Sequence, residues 1–355
     1  PCYDRMKALG AVFGSVYGWE RPNWFLPHKD YALTEQELAT ENVDQVLWNQ
    51  NYSEPLDGGP IVEKNSFRRS NYHEFVGNEC KHVSEKVGLL DMSAFAKAIV
   101  KGPGAEAWLE YIFANKMPKT IGRISLVHML TINGGVRSEY TVYKTGPQSF
   151  YLVSAGAFET HDHDYLFKLK PKDGSVDVQR VTTNTGVLVL AGPRSRDTDL
   201  SNDKFKWLTG KKINVGYATA EALRVNFVGE LGYELHHPIE MQNYIFDEVM
   251  KAGAEFDIKP FGIRAMDSMR LEKSYRLIPR EMSIEYSAME SALDRFVRLD
   301  KEGDFIGKQA LTEWIERGAE NAFATLEVHG VVDADARGSE AIYKDGEVVG
   351  RTTSG

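Results

Sequence analysis

Apolar and polar positions alternate between residues 223 and 236, and a period of two is the mark of a β-strand. On such a strand Glu230, Gly232 and Glu234 share one face, while Tyr233 points the other way, toward a core. Upstream, residues 72–87 follow the period of a helix, with Phe75, Cys80, Val83 and Val87 as its buried stripe. Residues 89–100 read as a strand, and 103–115 as a helix opening at a Gly-Pro turn. Strands follow at 124–130, 139–143 and 149–154, then a helix at 160–169 and strands at 176–181 and 186–190. Helices are predicted at 243–252 and 263–274. From residue 322 onward, short strands are separated by turns such as Lys344-Asp345-Gly346. Strands and helices mix without strict alternation, so the pattern points to an α+β fold rather than a doubly wound sheet.

Composition narrows the function classes. A chain of 355 residues exceeds one simple core and suggests two or three domains. Its net charge of −9 argues against nucleic acid or an anionic membrane as partner. No apolar run reaches the ~18 residues of a membrane span, and no signal peptide is visible. Cys2 and Cys80 make neither a disulfide framework nor a metal set. They fit a reducing compartment, so the expected location is the cytoplasm, or the mitochondrial matrix in a eukaryote.

Candidate chemistry gathers around the glycines of Gly229-Glu230-Leu231-Gly232-Tyr233-Glu234, which are expected to let the backbone come close to a flat ligand. A carboxylate on a buried sheet face is costly unless a donor pairs it. A planar ligand with two adjacent N–H groups, such as a pterin, would supply that pairing bidentately. His161, Asp162, His163 and Asp164 resemble a metal cluster at first sight. Helix neighbours at i and i+1 diverge, however, so only His161 and Asp164 face each other well, and no third ligand follows. The expectation is therefore no metal. No Gly-x-Ser-x-Gly elbow supports a hydrolase. No Gly-x-Gly-x-x-Gly fingerprint occurs in residues 1–40, so no flavin domain is visible in this chain.

The motif order resembles the aminomethyltransferase family, the folate-binding T-protein of glycine cleavage and its relatives. The resemblance runs through Gly88-Leu89-Leu90-Asp91-Met92-Ser93, Met129-Leu130-Thr131, Gly134-Gly135-Val136, Leu190-Ala191-Gly192-Pro193, Gly229 to Glu234, Arg270-Leu271-Glu272 and Asp304-Phe305-Ile306-Gly307-Lys308. It covers nearly the whole chain. Ala11-Val12-Phe13-Gly14 and the run Trp19-Glu20-Arg21-Pro22-Asn23-Trp24-Phe25 are similar to the start of the folate half of dimethylglycine and sarcosine dehydrogenases.

The resemblance implies a three-domain α+β fold whose first two domains interleave around a central folate cavity. Residues 1–65 would be a packed lead-in segment, 66–320 the folate-binding α+β domains and 321–355 the start of a C-terminal β-barrel. That barrel is expected to be incomplete, because Thr352-Thr353-Ser354-Gly355 reads as the start of a motif. The cofactor implied is tetrahydrofolate, with a flavin only if a separate domain or partner supplies it. The partners implied are a small N-methyl amine and a flavin oxidoreductase domain or subunit.

From the residues alone Glu139 is an exposed strand glutamate beginning the return from the Gly134-Gly135 turn. The resemblance makes it the catalytic acid, where most members carry aspartate, and Ser138 replaces a second acid. Thr141 would share its face and hydrogen-bond the ring. Glu234 is the implied pterin-gripping residue, with Glu230 second. Arg270 is a further binding candidate, although pairing with Glu272 or Glu230 would make it structural. Arg68-Arg69 and Lys144 are available to an anionic folate. Met266 departs from the family: glycine-cleavage T-proteins have arginine there, which favours a relative with a different one-carbon donor. The alternatives that remain are a glycine-cleavage T-protein, a folate-dependent demethylase of a sulfonium or methoxy donor, and a non-catalytic folate-binding module.

Overall fold

The computed structural model describes residues 2–16, 18–28, 69–195, 204–331 and 333–355. Two sheets dominate it. The chain lays down β3 (Val87–Asp91), then builds a whole second sheet from β4 (Ala96–Lys101), β5 (Ile124–Leu130), β6 (Val136–Gly146), β7 (Ser149–Ser154) and β8 (Asp177–Arg180). It then returns to β3 with β9 (Thr185–Ala191), β10 (Gly210–Val215), β11 (Ala218–Leu223), β12 (Gly232–Pro238) and β13 (Ile258–Pro260). The orders are β10-β11-β12-β9-β3-β13 and β5-β6-β7-β4-β8. Every pairing is antiparallel except β13 with β3.

Helices complete the layers. The outer face of the five-stranded sheet packs on α3 (Ala105–Ile112) and α4 (Glu159–Leu169) through Trp108, Leu109, Leu166, Tyr140, Val142 and Leu152. The outer face of the six-stranded sheet carries α1 (Tyr3–Ala8) and α5 (Gln242–Gly253) through Met6, Ile245, Phe246, Tyr233 and Leu235. Its inner face is shared. Toward β3 it packs on α2 (His73–Glu85) and α6 (Ile263–Glu272). Toward β11 it meets the inner face of the other sheet through Leu223, Val225, Tyr143, Tyr151 and Val153. Phe95 packs against both inner clusters. The helix α7 (Lys308–Arg317) closes a further cluster with Leu130 and Val136.

The mixed α+β expectation holds, and the differences from the sequence pattern have local causes. The run at 89–100 is two strands in two sheets. The chain breaks after Asp91, whose carboxylate accepts from the Ser93 amide at 2.9 Å and so closes a turn. The strand beginning at Val136 starts earlier than expected, on the Gly134-Gly135 turn itself. Among the described residues, 321–355 form one hairpin, β14 (Ala341–Lys344) and β15 (Glu347–Arg351), and no barrel.

The lead-in is more than a loop. A hairpin of β1 (Ala11–Val16) and β2 (Trp19–Phe25) brings Trp24 into the α2–α6 cluster, fully buried. Residues 29–65 lie outside the described residues. The hairpin is fastened by Glu79 of α2, whose two carboxyl oxygens accept from the Phe25 amide at 2.6 Å and the Gly262 amide at 2.8 Å. Burial pushes the Glu79 carboxyl up to about 8, against the pull of those two donors.

A raised folded-state pKa means that the folded chain holds a proton the unfolded chain releases. The Glu79 contribution is therefore complete below the ordinary glutamate range and declines as pH rises toward 8. Glu79→Ala orphans two buried donors and should cost about 2–4 kcal/mol at pH 5.5. The gap to wild type should narrow at pH 8, which denaturant melts at the two pH values would read.

Candidate functional site

The inner faces of the two sheets carry the polar residues of interest. On β6, alternation puts Tyr140 and Val142 into the helix-side core and leaves Glu139, Thr141 and Tyr143 on the inner face. Thr141 is part-exposed. Glu139 is about a third exposed, and its Oε1 stands 3.4 Å from Nε2 of His128, its register partner on β5. His128 is itself fully buried, with its ring 5.5 Å from that of Phe296.

The facing sheet presents Glu234 and His236 from β12, while Tyr233 and Leu235 alternate into the outer core. Tyr233 thus lies where the alternation placed it. Glu234 is buried, and its Oε2 is 3.0 Å from Nε2 of His236. Nδ1 of the same imidazole is 3.0 Å from the Tyr151 hydroxyl of β7, across the sheet interface. Burial raises the Tyr151 phenol well above its ordinary range, and the Glu234 charge adds to this. Beside it Tyr143 donates to Oε2 of Glu221 at 3.0 Å, and burial and that carboxylate raise this phenol too. Tyr143 and Tyr151 are register partners in one sheet, and Glu221 and His236 are register partners in the other.

A third tie comes from Lys97 on β4. Its ammonium donates to Thr185 O of β9 at 2.6 Å and to Ser93 O at 2.8 Å, and burial lowers it to about 8. Three adjacent strands of one sheet, β6, β7 and β4, therefore each send a polar side chain to three adjacent strands of the other, β11, β12 and β9.

Several expectations change at this level. The strand proposed for 223–236 is broken: β11 ends at Leu223 and β12 starts at Gly232, so Glu230 belongs to the loop and not to the Glu234 face. Asn226 shapes that loop by donating to Glu230 O at 2.9 Å and accepting from the Val228 amide at 3.2 Å. Gly229 adopts φ +78°, and a β-carbon on Gly232 would sit 2.4 Å from the Asn226 amide nitrogen and 2.8 Å from Leu190 O. The backbone's own neighbours thus require these glycines, without any ligand. The Glu230 carboxylate faces Lys273 at 3.6 Å.

Arg270 is buried on α6 but joins neither Glu272 nor Glu230. Its guanidinium reaches Asp267 at 2.7 Å, Tyr275 O at 3.0 Å, Glu281 at 3.1 Å and Ser354 at 2.7 Å. It clasps the helix to the following turn and to the end of the chain. Met266, one turn earlier, is packed in the apolar α2–α6 cluster.

Ser138 faces away from Glu139, into the helix side, and donates to Asp162 at 2.5 Å. His161 contacts that same carboxylate at 3.1 Å rather than Asp164. Among the described residues no three His, Cys, Asp or Glu side chains converge as a metal site. A cavity of about 10 Å³ between Tyr140, Asp162, His163 and Leu166 has room for one water. Lys144 pairs with Glu106 at 2.6 Å, and Arg69 with Asp335 at 3.3 Å; Arg68 lies outside the described residues. The sequence reading missed Tyr143, Tyr151, Glu221 and His236. A usable signal was His236 two places after Glu234, on the same strand face.

With this geometry in place, the likenesses to known proteins can be read. Mitochondrial dimethylglycine dehydrogenase of Mus musculus is 36% identical over 361 residues, covering 99% of this chain and 38% of that protein. The chain thus spans well under half the length of the curated relatives that it matches over its whole extent. An aminomethyltransferase of Thermoanaerobacter sp. (strain X514) is 30% identical over 282 residues, 76% of this chain and 75% of that protein. In fold, the crystal structure of glycine cleavage system aminomethyltransferase T from Bartonella henselae superposes with a TM-score of 0.68 at 20% identity, covering 90% of this chain and 74% of that one. No helix among the described residues is long and apolar enough to cross a membrane. The model of the GCVT N-terminal domain matches residues 2–301, and the chain belongs to the GCVT family.

Proposed function

We propose that this chain is the folate-binding half of a tetrahydrofolate-dependent one-carbon transferase of the dimethylglycine and sarcosine dehydrogenase kind. The observation that carries the reading is Glu234: a buried carboxylate, oriented by His236, on an inner sheet face opposite one bearing Glu139 and Thr141. A buried carboxylate kept in such a place fits a ligand that brings N–H donors, which is what the amino edge of a reduced pterin offers. When bound, tetrahydrofolate supplies the nitrogen that accepts the one-carbon unit.

The roles of the protein groups follow from their settings. Glu234 binds the pterin edge and Thr141 adds a hydroxyl from the facing strand. Glu139, part-exposed beside His128, holds or passes a proton as the one-carbon unit changes hands, and its charge favours a cationic iminium donor. Arg270 and Glu230 enter as binding residues at one remove: Arg270 fixes the α6 wall, and Glu230 with Lys273 fixes the loop that delivers β12. The donor is a small N-methyl amine oxidised by a flavin site in another domain or subunit. Met266 in its apolar cluster supports this branch over glycine cleavage, where the family pattern has arginine. In this reading residues 66–320 form the folate-binding unit, flanked by a lead-in segment at 1–65 and a small β-domain at 321–355.

Calorimetric titration with reduced tetrahydrofolate tests the binding half. Wild type should bind saturably, and Glu234→Ala should weaken binding at least tenfold, the ~1.5–3 kcal/mol of a charge-assisted hydrogen bond. Equal binding by both would remove Glu234 from the site. Glu139→Gln should leave the affinity within a few-fold while one-carbon transfer to tetrahydrofolate falls by about 10²–10⁴. Unchanged turnover would overturn the catalytic role of Glu139.

A further inference from the structure

We infer that Tyr151 and His236 form a one-way donor chain that locks Glu234 as a hydrogen-bond acceptor, and thereby make the site selective for heterocycles presenting N–H groups to it. The inference rests on the proposed folate reading for its ligand, but the donor chain itself is a property of the protein alone.

The direction of the chain follows from its ends. Tyr151 is buried, and the neighbouring Glu234 charge also opposes its ionisation, so its oxygen keeps its hydrogen. That hydroxyl is 3.0 Å from Nδ1 of His236, with the two rings edge-on at 86°. The carboxylate end sets the direction: an ionised Glu234 can only accept, so Nε2 carries the hydrogen of the neutral imidazole and Nδ1 is the lone-pair atom that takes the Tyr151 hydroxyl hydrogen. Nε2 is 3.0 Å from Glu234 Oε2 and donates to it. The order is therefore Tyr O–H to Nδ1, then Nε2–H to the carboxylate. Glu221, the register partner of His236, is engaged by Tyr143 instead.

An ionised carboxylate that already accepts from an imidazole offers a ligand only its remaining lone pairs. Ligands with N–H or NH2 groups at that edge are paired; ligands with ring nitrogen or carbonyl acceptors there meet an uncompensated charge. His236 and Tyr151 act through Glu234 and are positioning residues. Tyr151 stands on the sheet opposite to Glu234, so selectivity at one sheet is set from the other.

The first arm of the test needs no ligand. Nitrogen-15 NMR of the imidazole should show Nε2 protonated and Nδ1 bare in His236, and Tyr151→Phe should shift the Nδ1 resonance as its donor is lost while Nε2 stays protonated. A protonated Nδ1 in the wild-type ring overturns the donor chain. The second arm compares binding of tetrahydrofolate and its 2-desamino analogue. Wild type should prefer the amino compound by about 10²-fold or more. His236→Ala and Tyr151→Phe should compress that ratio several-fold, and His236→Gln, which keeps one donor toward Glu234, should restore part of it. Melting curves identify any variant that fails to fold, and Tyr151→Phe is the conservative one to rely on. An unchanged ratio in folded variants overturns the selectivity claim. Failure of wild type to bind either compound overturns the folate reading and the selectivity claim with it, while the NMR arm still decides the donor chain.

Discussion

The two sheets of this protein are held face to face by a row of polar contacts. Tyr143, Tyr151 and Lys97 stand on adjacent strands and reach Glu221, His236 and the Thr185 carbonyl on adjacent strands opposite. Apolar packing between sheets is non-directional and tolerates sliding. Hydrogen bonds between buried groups do not, because a displaced partner is left without water to replace it. The row therefore fixes which strand faces which, and with that the placement of Glu139, Thr141 and Glu234. Everything functional proposed for this chain depends on that placement.

Away from the interface the same rule is met by local means. Glu79 is buried yet satisfied by two backbone amides, and so anchors the N-terminal hairpin to α2 and α6. Arg270 is fully buried and answered by two carboxylates, a carbonyl and a serine hydroxyl. Asp91 receives Gln242 at 2.6 Å and the Ser93 amide, which ties the first strand of the six-stranded sheet to α5. Each such group is costly to bury alone and holds its surroundings in one arrangement because it is not alone.

Most elements were legible in the sequence because periodicity is local. The helix at 72–87 and the strands at 124–130 and 149–154 lie almost where the apolar spacing put them. The failures occur where a side chain competes with the backbone ladder. Asp91 ended a strand that hydropathy alone would continue, and Asn226 did the same ahead of Glu230. The site was legible as a list of acids and not as an arrangement. Glu234 and Thr141 could be given a face by counting in twos. Nothing in a linear pattern states that Tyr151 meets His236, since sheet-to-sheet register depends on every intervening turn. The partners of Arg270 were misjudged for a related reason: Ser354 is remote along the chain and adjacent only in the fold, and Glu281 is brought in by the turn that follows α6.

The row of ties across the interface also has a mechanical meaning. Two plates joined along one line behave like the covers of a book: they cannot slide past one another, but they can tilt about the spine. Here the spine runs across β6, β7 and β4, so the freedom left to the sheets is angular, and a small tilt changes the gap most at the margins farthest from it. Glu139 lies two strand rungs out from Tyr143, whereas Glu234 is bonded to the spine through His236. The residue proposed to grip the pterin is thus mounted on the stationary line, and the residue proposed to handle the proton on the moving leaf.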